Sequence, residues 1–311
     1  MSPGQEQGPG QRVILRGSGF QKLSSWGRAW YTCRMTTPSE HAASGVIRSR
    51  QNPKVKAARA LLRPQGRKQQ RRFLVEGLAH VGEALEAGWP LAGGFWSPDR
   101  LRSDFGRRLV AQAREWGVPV WAVTPEVLDS LSPREHSQGL VAVAEVCWTS
   151  LDALTPRVHP WAVAVTAPQD PGNIGALLRT MDAVGAGPLL LLEGGADPFQ
   201  PKAVRASMGA LFRHPVVRAG FPAFVAWARK QRYRVYGTSA HGRVDYRQVA
   251  YRRPMVLLLG SERHGLTADQ RAACDVLVRL PMRGRVSSLN LAVAAGVMLY
   301  AMLGEDMGET P

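Results

Sequence analysis

Three short segments in the second half of the chain hold residue types that can do chemistry. Each lies beside glycines that let a backbone come close to a ligand. The first is Gln169-Asp-Pro-Gly-Asn-Ile-Gly-Ala-Leu-Leu-Arg179, where Asn173 stands at the expected end of a strand-to-helix turn and Arg179 follows on the helix. A carboxamide at that place either caps the helix or orients a polar group of a substrate. The guanidinium further on can grip a phosphate or steady an oxygen that gains negative charge. The second segment is Leu257-Leu-Leu-Gly-Ser-Glu-Arg-His-Gly-Leu266. An apolar strand running into a glycine-rich turn is a cradle for a small molecule, and Glu262, between Gly260 and Gly265, is read as a site residue. The third runs Leu280-Pro-Met-Arg-Gly-Arg-Val-Ser-Ser-Leu-Asn290 and on into an apolar helix. Ser287 or Ser288 is expected to cap that helix, which is apolar nearly all round and so must be buried on more than one side. No G-x-G-x-x-G occurs, which disfavours a dinucleotide site. Cys33, Cys147 and Cys274 are scattered, with no C-x-x-C pair, so no zinc site or disulfide framework is expected.

Loops of this kind do their work at the carboxyl ends of parallel strands, and the surrounding sequence supplies such strands. Short apolar runs predict them at Trp161–Val165, Leu189–Leu192, His214–Val217, Arg234–Tyr236, Met255–Leu259 and Val276–Leu280. Helices fit between them at Ile174–Val184, Lys202–Met208, Pro222–Arg232, Ala268–Ala273 and Ser288–Leu303. The fold class is therefore α/β, a mainly parallel sheet with helices on both faces. A smaller α/β module precedes it, with strands at Phe73–Val75, Ala92–Trp96, Pro119–Val123 and Val141–Val146. Its helices are expected at Leu78–Ala87, Arg100–Trp116 and Pro125–Leu131. The division predicted is an extension over 1–43, a first domain over 44–147, a linker over 148–160, a second domain over 161–304 and a tail over 305–311. The extension, rich in Gly, Ser and Arg, is read as disordered or as the product of an upstream start codon with Met35 as the true start.

Charge points to the partner. The 311 residues carry 40 Lys+Arg against 24 Asp+Glu, a net charge of +16, which favours a polyanion because each neutralised phosphate releases counterions. From Arg48 to Arg72 ten cations arrive before the first acid, Glu76. Val55, Ala58, Leu61 and Leu62 recur among them at helical spacing, so the basic residues are expected to coat one face of a helix. No apolar run is long enough for a membrane span, and nothing in the composition asks for a metal. The reading is of a cytoplasmic protein with reduced thiols.

Taken in order, N-x-G-x-x-x-R, G-x-E-x-x-G and P-M-x-G-x-x-x-S-L-N-x-x-x-A resemble the SpoU (TrmH-like) branch of the SPOUT RNA methyltransferases, from Trp161 to Leu303. Val204-Arg205-Ala-Ser-Met-Gly-Ala-Leu-Phe-Arg213 resembles the family's intervening segment. Ser44 to Val146 resembles, more loosely, its ribosomal-protein-like RNA-binding domain, through Asn52-Pro53, Phe73-Leu-Val-Glu-Gly77 and Gln138-Gly139. The resemblance implies a carboxyl-terminal trefoil knot, S-adenosylmethionine as cofactor, a homodimer, and methylation of a ribose 2′-hydroxyl in RNA. Thr238, Ser239, Gly260, Leu280, Met282, Ser288 and Leu289 should then surround the cofactor, and Asn173, Arg179, Glu262 and Asn290 the reacting centre. Arg71, Arg72, Arg205 and Arg213 are expected against RNA. The compact first domain favours large-subunit ribosomal RNA. The competing readings are a transfer-RNA 2′-O-methyltransferase, a base methyltransferase of the same superfamily and a non-catalytic ribosome-assembly protein. The family's assignment of the motif-one Arg as proton acceptor sits badly with a group that is effectively always protonated. Arg179 is read instead as an electrostatic clamp.

Overall fold

The computed structural model describes residues 45–132 and 138–304. The expected extension over 1–43, with Met35 and Cys33, and the tail over 305–311 lie outside the described residues.

The basic run folds as two helices, not one. α1 (Pro53–Ala60) starts at Asn52, whose side chain accepts the Lys54 amide at 3.0 Å, with Pro53 in the first turn. α2 (Pro64–Gln70) begins afresh because a residue before proline is driven out of the helical region. Arg63 accordingly sits extended, at φ −98° and ψ 144°. The break turns one of the cations, Arg67, inward, where it is buried. The strands β1 (Arg72–Glu76), β2 (Leu91–Trp96), β3 (Val120–Ala122) and β4 (Leu140–Glu145) form a four-stranded sheet in the order β1-β4-β2-β3. β4 runs antiparallel to both neighbours, and β2 pairs with β3 in parallel. Three helices complete the unit: α3 (Leu78–Glu86), α4 (Asp104–Glu115) and α5 (Pro125–Asp129). α4 starts later than the apolar pattern suggests, because Ser103 caps it by accepting the Gly106 amide.

The second sheet has seven strands, all parallel: β5 (Trp161–Thr166), β6 (Leu189–Leu192), β7 (Val216–Ala219), β8 (Arg234–Thr238), β9 (Val244–Asp245), β10 (Met255–Leu259) and β11 (Val276–Arg279). Their order is β7-β6-β5-β10-β8-β11-β9. Every residue of β5, β6 and β10 is buried, as expected of strands covered on both faces. β9, two residues at the edge, has too little pattern to be legible in sequence. The helices are α6 (Pro171–Val184), α7 (Pro201–Ala206), α8 (Phe221–Lys230), α9 (Ala268–Ala272) and α10 (Leu291–Leu303). The chain builds outward from β5 to β7, then returns to the other side with β8, and β10 is inserted between β5 and β8. The switch point of the topology thus lies between β5 and β10.

The two sheets share one core. Phe73 of β1 packs against Phe199 and Phe212 of the second unit, with ring centroids 5.0 and 6.4 Å apart, and Trp89 meets Phe212 edge-on at 5.3 Å. The stretch expected as a linker takes part: Trp148 stands edge-on to Phe199, and the Thr149 amide donates to Val216.

Candidate active site

The loops that carry the three motifs converge at the carboxyl ends of β5, β10 and β11. After β5 the chain turns through Ala167, which adopts a left-handed φ of 43°, and enters α6. The cap of α6 is Asp170, not Asn173. Its carboxylate accepts the Gly172 amide at 2.7 Å and pairs with Lys202 at 2.8 Å, and the Lys202 bond, then the Gly172 bond, hold it below the usual carboxylate range. Asp-Pro at the start of a helix is a cap with proline at the first position, a signal the sequence offered. With the cap supplied upstream, Asn173 in the first turn is released for other work.

That work is a relay of three side chains from the three motifs. Glu262 accepts the Gln169 amide on one carboxylate oxygen at 2.7 Å and the Asn173 side-chain amide on the other at 2.6 Å. Asn290 donates its side-chain amide to the Asn173 carbonyl oxygen at 3.0 Å. The Asn290 oxygen is meanwhile engaged with the amides of Ala292 and Val293, at 2.9 and 3.3 Å. Asn290 is therefore the cap of α10, the part expected of Ser287 or Ser288. Its two side-chain acceptor bonds fix which way its amide points, since only its nitrogen is left to meet Asn173. The Asn173 carboxamide is fixed in turn, because a carboxylate accepts only. One hydrogen on its nitrogen and one lone pair on its oxygen remain for a substrate.

Gly260 closes the middle loop. Ser261 and Gly265 exchange backbone hydrogen bonds of 3.2 and 2.9 Å, and a Cβ on Gly260 would lie 2.2 Å from the Gly265 carbonyl carbon. Only glycine fits there, and the tight turn is what sets Glu262 facing α6. Thr238 ends β8, and Ser239 follows, donating its amide to Val278 at 2.9 Å. Leu280 follows β11, and residues 281–290 are exposed throughout, including Met282, Ser288 and Leu289. Gly260, Thr238, Ser239 and Leu280 thus all lie at the carboxyl ends of β10, β8 and β11. Apolar walls with a few hydroxyls and a close backbone suit an adenine ring and an amino-acid tail, so the residues present fit S-adenosylmethionine.

Arg179 stands apart from the relay. It is exposed, and six residues beyond Asn173 it lies roughly 9 Å further along α6 and on another side of it. The cations expected against RNA divide. Arg71 is exposed at the end of α2. Arg72 pairs with Glu145 at 2.9 Å. Arg205 lies 3.8 Å from Glu76, and Arg213 pairs with Glu83 and with Asp182, the latter at 3.1 Å. Arg205 and Arg213 therefore face carboxylates of the first unit and bind the two units together, a task invisible in a sequence that places these partners far apart. The hydrogen bond from His214, with Arg213 behind it, holds the Asp182 carboxyl well below the usual carboxylate range, against burial that pushes it up. Among the described residues no cluster of His, Cys, Asp or Glu could hold a metal, and no helix is long and apolar enough to cross a membrane.

Known proteins resemble this chain in sequence and in fold. Residues 160–300 match the SpoU rRNA Methylase family, and residues 52–142 match the MRM3-like substrate binding domain. The chain is 36% identical over 235 residues to a 23S rRNA (uridine(2479)-2′-O)-methyltransferase of Streptomyces viridochromogenes, covering 73% of this chain and 81% of that protein. It is 30% identical over 258 residues to the 23S rRNA (guanosine(2553)-2′-O)-methyltransferase RlmP of Bacillus subtilis, covering 83% and 99%. Among solved structures, an AdoMet-bound rRNA methyltransferase from Sinorhizobium meliloti superposes with a TM-score of 0.77 at 35% identity, over 83% of this chain and 97% of that one.

Proposed function

Because the chain belongs to the SpoU rRNA methylase family, we propose that it transfers a methyl group from S-adenosylmethionine to a ribose 2′-hydroxyl of large-subunit ribosomal RNA. The observation that carries the reading is the Glu262–Asn173–Asn290 relay. It aims a fixed carboxamide from the switch point of the sheet and ties all three motifs to one place.

The cofactor, when bound, supplies a methyl group already attached to a good leaving group. What remains for the protein is alignment at roughly 3–3.5 Å and removal of a proton. Thr238, Ser239, Gly260, Leu280, Met282, Ser288 and Leu289 would hold the cofactor. Asn173 would orient the ribose, with Glu262 and Asn290 keeping its amide from rotating. Arg179, outside the relay, would grip a phosphate next to the target ribose. The hydroxyl proton passes to an RNA phosphate or to water.

The exposed cations Arg48, Arg50, Lys54, Lys56, Arg63, Lys68 and Arg71 would supply backbone affinity for RNA. Val293, Val297 and Tyr300 form an exposed apolar stripe at helical spacing on α10. A second copy of the chain would cover it, giving the homodimer. The passage through the 281–290 loop into α10 would close the trefoil knot. Incubation with total RNA and labelled cofactor, followed by mapping of alkali-resistant positions, tests the reading. It predicts one resistant linkage in large-subunit RNA. Label on transfer RNA, on a base, or on no RNA would contradict it.

A further inference from the structure

Arg67 is the one Lys or Arg among the buried polar and charged side chains of the described residues. Its side chain is 3% exposed; Nε donates to Asp197 at 2.7 Å, and Nη1 donates to the carbonyls of Leu61 and Leu62 at 2.9 and 3.3 Å. Nε and Nη1 of the planar fork thus gather the end of α1 and fasten it to the second unit. A lysine could not make this set of bonds.

The place where Asp197 sits gives the contact its meaning. Residues 193–200 leave the carboxyl end of β6, beside the loop that follows β5. Asp197 also accepts the Phe199 amide at 2.9 Å, which holds this segment in a turn. The Ala196 amide donates to the Pro168 carbonyl at 2.7 Å. Gly195, at φ +101°, packs so closely that a Cβ would lie 2.4 Å from the same carbonyl oxygen. The next residue, Gln169, presents its amide to Glu262, which holds Asn173. A continuous series of directional contacts thus runs from the first unit to the reacting centre. Non-glycine residues at left-handed φ, Glu193 at 57° and Ala167 at 43°, stand at the start of both interlocked loops. Such backbone persists where its surroundings hold it in place.

Adhesion alone does not explain the pair. The seam is already closed by Phe73, Trp89, Phe199 and Phe212, and a buried ion pair adds less stability than apolar groups of the same size. Such pairs are best attested where register must be fixed, and this one fixes the loop beside the site. We infer that Arg67 is a positioning residue for methyl transfer. Through Asp197 and the interlocked loops, the substrate-binding unit sets where Glu262 holds Asn173. This inference rests on the ribose-methylating reading above.

The test uses the full chain, large-subunit ribosomal RNA, and sites counted by cofactor binding. Arg67→Leu should lower the single-turnover rate at saturating RNA about 10- to 100-fold, with RNA affinity changed less than about 3-fold, since a shift near 1 Å suffices for that loss. Arg67→Lys should restore little of the rate. Asp197→Asn and Gly195→Ala, which leave the aromatic seam intact, should each slow the reaction at least about 5-fold. The double variant Arg67→Leu/Asp197→Asn should be no slower than the slower single one, as two halves of one contact require. In hydrogen exchange, Arg67→Leu should speed the amides of 167–173, a readout that needs no methyl transfer. Should Arg67→Leu not fold, the rates and exchange of Asp197→Asn and Gly195→Ala decide the matter. Rates per cofactor site within about 2-fold of wild type in those two variants would overturn the proposal, as would lost RNA affinity with the saturated rate preserved. A wild-type chain that labels no ribose would contradict the functional reading instead, and the exchange measurement would still judge the latch.

Discussion

The Glu262–Asn173–Asn290 relay and the 281–290 loop lie at the same end of one sheet and meet at Asn290, yet they are held in different ways. In the relay each side chain is oriented by another, down to which end of each amide faces which oxygen. In the loop all ten residues are exposed, with Met282, Val286 and Leu289 at 37, 64 and 40%. Under the proposed function the contrast separates two tasks. Groups that align a reacting hydroxyl gain from being fixed beforehand, because the ordering cost is met in folding. Apolar walls for a cofactor gain their energy only when the cofactor covers them.

If the two regions divide the work in this way, variants should split alignment from cofactor affinity. Asn173→Ala removes the centre of the relay, and the single-turnover rate should fall about 1000-fold, with cofactor Kd within about 3-fold of wild type. An equal loss in both quantities would show that relay and loop are one unit. Glu262→Gln keeps the shape but turns one end of the group into a donor facing a donor, either the Gln169 amide or the Asn173 nitrogen. A rate loss of about 10- to 100-fold is expected, with Tm lowered by a cost of about 1–3 kcal/mol. Leu289→Ser should do the reverse, weakening cofactor binding about 10-fold while the rate at saturating cofactor stays within about 2-fold. Titration calorimetry together with single-turnover kinetics checks all three.

The smallest effect is reserved for the seam. The Asp182 carboxyl, depressed by its bond from His214 and by Arg213, stabilises the fold at neutral pH, and that contribution is lost as pH falls below about 4 and through its lowered pKa. Asp182→Asn should therefore cost about 1 kcal/mol at pH 7, after allowance for the exposure of the pair, and less than half of that near pH 2. Denaturant midpoints at the two pH values measure it. Unchanged single-turnover rates at neutral pH would keep this part of the seam distinct from the relay.

What the sequence made legible follows from how local each cause is. Buried parallel strands advertise themselves, so β5, β6 and β10 fall where the apolar runs place them, and Asn173, Glu262 and Asn290 do meet. Caps were misplaced by a few residues because several polar candidates stood together. Asp170 before Pro171 takes the capping role that the sequence leaves open to Asn173, and Asn290 the role expected of Ser287 or Ser288. The basic run hid both its break at Pro64 and the inward turn of Arg67. In a sequence a cation reads as solvated, and its partner Asp197 lies 130 residues away. The partners of Arg205 and Arg213 are hidden for the same reason, since Glu76 and Glu83 come to them only through the packing of one unit on the other.

The central claim concerns one oxygen atom. Once the modified nucleotide is mapped, an RNA fragment carrying a 2′-deoxyribose at that position alone can be compared with its all-ribose counterpart under single turnover. The account predicts that the deoxy fragment binds with comparable affinity and receives no methyl group, while the ribose fragment is labelled to one methyl per site. Methylation of the deoxy fragment at that nucleotide would contradict it, because the acceptor could not then be its 2′-oxygen.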